Sequence, residues 1–250
     1  MNRRKTLLAI PGLILSSAAP HAFGFKLDGM LGAAKDAAKA ATLSDEEVRA
    51  YAAQMAVLSD AENRVAPPSD KYAKRLAALT SGIGDEKGLK LNYKVYLTEE
   101  VNAFAMADGT IRVFSGLMEA MTDDEVRYVI GHEIGHVQRG HSRKRMQTAL
   151  ATSATQQAAV SSGGKVATIA QSELGSLMTQ VVRAQHSQGN EKEADDYALD
   201  FMKRYKYDRM AAVQALEKLD KMFGGGAKTD WLSTHPAPKE RADRLRAQLA

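Results

Sequence analysis

The sequence predicts an α+β fold, mostly helical with a small antiparallel or mixed sheet, and three observations predict it. LNYKVYL, from Leu91, alternates and is rich in β-prone residues. NAFAMADGTIRVFSG holds two more such runs joined by Asp108-Gly109, a hairpin signal. The segments before Leu91, and from Thr122 almost to the end, carry apolar residues at helical spacing. A short sheet embedded in helices is an α+β arrangement.

With 250 residues, 44% of them hydrophobic, the chain is long enough for one sizeable core. Residues 1–24 have a basic start (Arg3, Arg4, Lys5), a short apolar run from Leu7 to Leu15 and small residues around Ala22, the pattern of a cleavable export signal. The apolar run is far shorter than the roughly 20 residues a membrane helix needs. Arg3-Arg4 leaves both general and twin-arginine export open. Three of the net +4 charges lie in this signal, so the charge balance points to no nucleic-acid partner. There is no cysteine, which excludes disulfides and a lipoprotein anchor and leaves His, Asp and Glu as metal ligands. The expected location is periplasmic or elsewhere in the cell envelope.

An N-terminal helical segment is expected over residues 25–68 and the main domain over 69–250. Ser44 to Glu47 reads as a capping box, with Val48, Tyr51, Ala52, Met55 and Leu58 following at helical spacing. Pro67-Pro68 ends that segment, and Ser69 caps a second short helix reaching about Leu79. A loop covers Gly82 to Gly88, and the sheet follows. Thr122 to Glu125 is a second capping box, which starts the helix bearing GHEIGH. Later breaks are expected at Ser161–Gly164, Gly189-Asn190, Tyr207-Asp208 and Phe223–Gly226. Met146 to Gln185 is too polar to span a bilayer and suits a helical hairpin packed on the domain or lying near a membrane surface.

The chemistry starts at His132. At about 100° per residue, His132 and His136 share one helix face and can converge on one ion, while Glu133 is turned to its side. This is the content of H-E-x-x-H: a zinc on two imidazoles and a third ligand lowers the pKa of a water to about 7, and Glu133 acts as general base. Gly131 and Gly135 each cost the helix about 1 kcal/mol relative to Ala, which makes sense where a strand or substrate backbone approaches closely. His141 points about 140° away from His136, and the position a metzincin would use is Ser142. His141 therefore reads as structural or exposed.

A third ligand is sought on another helix. In NEKEADDY, Asn190 can cap, and Glu191 and Asp195 stand one turn apart, so Glu191 can ligate while Asp195 accepts an imidazole N–H. Glu193, Asp196 and Asp200 read as solvent-facing, and all five acids read equally as a solvated face.

GHEIGH, then NEKEAD, then THPAPKER together resemble the HtpX-like and prenyl-protein-protease-like zinc metallopeptidases, a branch of the gluzincins, from about Tyr72 to the C-terminus. The resemblance implies a zincin-type domain with one Zn2+ per chain on His132, His136 and Glu191, Glu133 as general base and Asp195 as the carboxylate behind a ligand. It implies that the edge strand Asn102, Ala103, Phe104 and Ala105 binds substrate backbone. His235 and Arg241 would steady an oxyanion, or His235 would occupy the metal's open position as a latch; the bland alternative is a His-Pro turn. The implied activity is an exported zinc endopeptidase acting on unfolded or damaged envelope proteins. Two alternatives stand beside it: a latent, chaperone-like client-binding protein occluded by His235, and a metal-binding protein without catalysis. The expected partners are misfolded proteins, with peripheral membrane association possible and the oligomeric state open.

Overall fold

The computed structural model describes residues 44–152, 171–223 and 230–250. The expected signal at 1–24, the stretch up to residue 43 and the breaks at 161–164 and 224–226 lie outside these residues. The helices are α1 (Asp45–Glu62), α2 (Lys71–Thr80), α3 (Ser115–Ala120), α4 (Asp123–Gln138), α5 (His141–Thr152), α6 (Gln171–Arg183), α7 (Gln188–Arg204), α8 (Met210–Phe223), α9 (Asp230–Thr234) and α10 (Pro238–Leu249). Between α2 and α3 run β1 (Asn92–Tyr96), β2 (Ala103–Ala105) and β3 (Thr110–Phe114). Among the described residues no helix is long and apolar enough to cross a membrane.

Both predicted capping boxes form. Ser44 Oγ accepts the Glu47 N–H at 3.2 Å, and the Glu125 carboxylate accepts the Thr122 N–H at 2.7 Å. Two caps move. At α2 the cap is Asp70, not Ser69, because Asp70 Oδ1 accepts the Tyr72 N–H at 2.8 Å. At α7 it is Ser187, whose Oγ accepts the Asn190 N–H at 3.1 Å, so Asn190 lies in the first turn and the break falls at residues 184–187. Ser and Asn cap about equally well, and the sequence holds both within three residues.

The sheet is mixed, in the order β1-β3-β2, with β1 parallel and β2 antiparallel to the central β3. Every residue of β3 is buried. Val95, Ala103, Ile111 and Val113 face the main core with α4, α7, α8 and α10, whereas Tyr96, Phe104 and Phe114 face a second core with α1, α5 and α6. Gly109 makes the β2–β3 turn at φ 94°, where a Cβ would lie 2.0 Å from the Lys90 carbonyl oxygen. α1 is clamped to the sheet by Asp60, which accepts two bonds from the buried Arg112 at 2.8 and 2.9 Å and further bonds from Lys94 and Tyr96. Burial pushes the Asp60 carboxyl up, but these bonds win and hold it below the ordinary range.

The two glycines of α4 have a different explanation from the expected one. The protein atoms that crowd them belong to α7 rather than to a strand. A Cβ on Gly131 would sit 2.6 Å from the Phe201 ring, and one on Gly135 would sit 2.9 Å from the Ala194 carbonyl oxygen. The Phe201 ring can turn, but the backbone of α7 cannot move without carrying Glu191 with it. Gly135→Ala is therefore expected to destabilise the fold by about 1–3 kcal/mol despite its better helix propensity. It should also weaken metal binding more than Gly131→Ala does, as read by denaturant midpoint and chelator competition.

Candidate metal centre

α4 presents His132, Glu133 and His136 in a wholly buried stretch, and α7 lies across it with Glu191 and Asp195. The Nε2 atoms of His132 and His136 are 3.1 Å apart. Glu191 Oε1 lies 3.3 Å from His136 Nε2, and Glu191 Oε2 lies 3.5 Å from His132 Nε2. His235 closes the group, with Nδ1 3.1 Å from Glu191 Oε1 and 3.4 Å from His132 Nε2. These four residues can each offer a ligand atom within one small sphere. His235 Nε2 faces Glu133 Oε1 at 3.4 Å, and that oxygen is buried without a hydrogen-bond partner.

The partners behind the rings fix which nitrogens are free. Asp195 Oδ1 lies 2.9 Å from His132 Nδ1 and accepts its N–H, leaving a lone pair on Nε2. Asp195 is itself held by the Tyr128 hydroxyl at 2.7 Å and by Arg241, whose Nε and Nη2 donate at 2.9 and 2.7 Å. On the other side His136 Nδ1 meets His141 Nδ1 at 2.9 Å, and His141 Nε2 meets the Glu193 carboxylate at 3.1 Å. Glu193 can only accept, so His141 donates to it and accepts from His136, which leaves the second Nε2 lone pair pointing at the first. Two lone pairs at 3.1 Å beside a carboxylate repel unless a cation lies among them.

Charge says the same. Glu133, Glu191 and Asp195 are buried together, and the buried guanidinium of Arg241 pairs with the last two. Burial opposes the charged form of Glu191, but His235 and Arg241 hold its carboxyl far below the ordinary range. Burial likewise opposes the charge of Asp195, and Arg241 and His132 hold that carboxyl low. Burial and Arg241 act to lower His132, yet Asp195 and Glu191 push it up to about 9. With neutral imidazoles the buried excess is two negative charges, which a divalent ion balances. The residues present fit a metal.

The structure brings together every expected α4, α7 and C-terminal residue. Arg241 spends its donors on Asp195 and lies in an ion pair with Glu191, so of the two candidates for an oxyanion it is the committed one. Ala237, at φ 57°, turns the chain between Pro236 and Pro238 so that α10 starts beyond it while His235 stays in the site. His141, read from sequence as a bystander, is structural in a specific way, because it sets the tautomer of His136. Of the acids read as solvent-facing, Glu193 is exposed but bonded to His141, and half-buried Asp196 pairs with Arg244. β2 supplies an edge beside α4: Asn102 and Met106 bond to β3, so by the antiparallel alternation Ala103 and Ala105 turn their backbone groups away from the sheet.

Sequence reasoning missed His186 and Trp231. The His186 ring stacks on His136 with centroids 3.6 Å apart, and Trp231 stacks on His235 at 4.7 Å. One signal existed: His186 directly precedes the Ser187 cap of the helix carrying Glu191. Breaking the His141 brace is expected to weaken metal affinity by about 10- to 100-fold in His141→Ala, and less in Glu193→Gln. A competition titration against a chromophoric chelator checks this on the folded protein.

A profile of Peptidase family M48 matches residues 70–249. The chain is 42% identical over 224 residues to metalloprotease LoiP of Escherichia coli strain K12, covering 89% of this chain and 88% of that protein. It is 37% identical over 252 residues to metalloprotease YcaL of the same strain, covering 100% and 99%. To a mitochondrial metalloendopeptidase of Arabidopsis thaliana it is 33% identical over 159 residues, 62% of this chain and 31% of that one.

Proposed function

Because the chain belongs to peptidase family M48 and is a metallopeptidase, we propose that it is an exported zinc endopeptidase hydrolysing unfolded or damaged proteins of the cell envelope. The observation that carries the chemistry is the pair of facing Nε2 lone pairs at 3.1 Å with the Glu191 carboxylate beside them and Glu133 alongside. His132, His136 and Glu191 would hold one zinc, which when bound polarises a carbonyl and acidifies water. Glu133 has an unpartnered buried oxygen, which suits it to take a proton from the attacking water and deliver it to the leaving amine. The Ala103 carbonyl and the backbone groups of Ala105 face outward, where an extended substrate can pair as an added strand, while the Ala103 N–H is taken by Asn102 Oδ1 at 2.9 Å. Pairing by backbone alone reads no particular side chain and needs an extended segment, which supports unfolded chains as substrates. The basic-then-apolar pattern of residues 1–24 supports export.

With the mature chain and casein or another unfolded protein, Glu133→Gln is expected to lose at least about 100-fold in cleavage rate while retaining its zinc. A chelator should abolish cleavage and added zinc restore it. Cleavage indifferent to both would sink this reading.

A second reading has its own observation. His235 Nδ1 lies within the ligand set rather than beside it. It supports a latent state in which His235 occupies the position a substrate needs, so that the chain holds clients before cleaving them. His235→Ala is then expected to raise the cleavage rate. A loss of about 100-fold would instead make His235 a donor to the oxyanion.

A further inference from the structure

Beside the metal centre lies an open cavity of about 370 Å³, walled by His141 and His186 on the side of His136 and by Lys144, Arg145, Gln180 and Asn190 elsewhere. Among the described residues that line it none is acidic. Arg145, on α5, donates from Nη1 to the Val181 carbonyl of α6 at 2.8 Å, which fixes the plane of its guanidinium. Its Nη2 is buried and has no acceptor, and Arg145 forms no ion pair among the described residues. Residues 153–170 contain no Asp or Glu. In sequence the segment is one-sided, with six Lys or Arg residues and one acid, Glu173, from Arg139 to His186.

A guanidinium taken from water without an anionic partner is costly, by several kcal/mol in general. Burial pushes Arg145 down to about 10, while the negative charges of Glu133 and Glu191 act in the other direction, which sets it within electrostatic reach of the catalytic carboxylates. Neither carboxylate is within ion-pair distance of it. The Nη1–Val181 bond presents the remaining donors as a fixed fork, a geometry that matches a carboxylate.

We propose that this cavity is a substrate subsite that takes a carboxylate, from an Asp or Glu side chain or a chain terminus close to the scissile bond, with Arg145 as its specificity-determining residue. The inference rests on the endopeptidase reading above. A side chain three residues from the scissile bond reaches about 10 Å along the substrate, at about 3.3 Å per extended residue. An anionic lipid headgroup suits the site less well, because the unpaired nitrogen is buried within the α5–α6 layer.

The test uses zinc-loaded enzyme and one internally quenched peptide scaffold, with Glu, Gln and Lys placed in turn at the three positions on each side of the scissile bond. The C-terminus is made free or amidated to separate a side-chain carboxylate from a terminal one. At one position, or at the free terminus, the carboxylate is expected to raise kcat/KM by about tenfold over its neutral counterpart. Arg145→Gln should bring that ratio, taken within the variant itself, to within about twofold. Binding of the same fluorescent peptides to Glu133→Gln reads the same preference without turnover, so a failure of the protease reading remains distinguishable from a failure of the subsite. A wild-type profile with no carboxylate preference in cleavage or binding overturns the proposal whether or not the Arg145 variant folds. So does a preference that survives Arg145→Gln, or one replaced by Arg145-dependent binding to anionic vesicles.

Discussion

The close approach of α7 to α4 is the constraint on which everything else rests. Two glycines at one-turn spacing remove the side chains that would hold the helices apart, and the Ala194 backbone and the Phe201 ring occupy the vacated space. Each glycine gives up about 1 kcal/mol of intrinsic helix preference. What is gained is a candidate metal centre distributed over two helices, with Glu191 brought to within 3.5 Å of both imidazoles. The buried Val126, Val129 and Ile130 hold α4 in the core from the other side, so its polar face cannot turn away to water.

That contact creates an electrostatic problem that the surrounding residues resolve in two unlike ways. His132 is braced by a charge: Asp195, itself gripped by Arg241 and Tyr128. His136 is braced by a relay through His141 to Glu193, which ends at an exposed carboxylate. The first brace is rigid and almost dry; the second reaches solvent. Both give the same tautomer, with Nε2 free, so the ligand nitrogens are presented before a metal arrives.

How much of this was legible follows from range. Helical spacing placed His132 with His136 and Glu191 with Asp195, because one turn is a local rule. The hairpin was legible for the same reason, through Asp108-Gly109. Which helix would lie across which was not, and it decides that the glycines serve α7, that His141 meets Glu193 and that His186 stacks on His136. Five of the six histidines in the sequence lie in or beside the centre, a convergence that no spacing rule expresses. The misplaced caps at Ser69 and Asn190 are misses of another kind, near-degenerate choices between neighbouring polar residues that the fold settled by a fraction of a turn.

The sheet divides the molecule into two layers with different duties. On one face α4, α7, α8 and α10 share the core that sets the metal ligands. On the other α1, α5 and α6 share a separate core with Tyr96, Phe104 and Phe114. Arg145 belongs to this second layer, and only His141 and His186 line the cavity from within reach of His136. Apart from His141, which braces His136, substitutions in α5 and α6 therefore act mainly on packing that the candidate metal centre does not share. A layer so placed can change the shape and charge of what lies beside the scissile bond while leaving the ligand geometry intact, which separates the choice of substrate from the chemistry done on it.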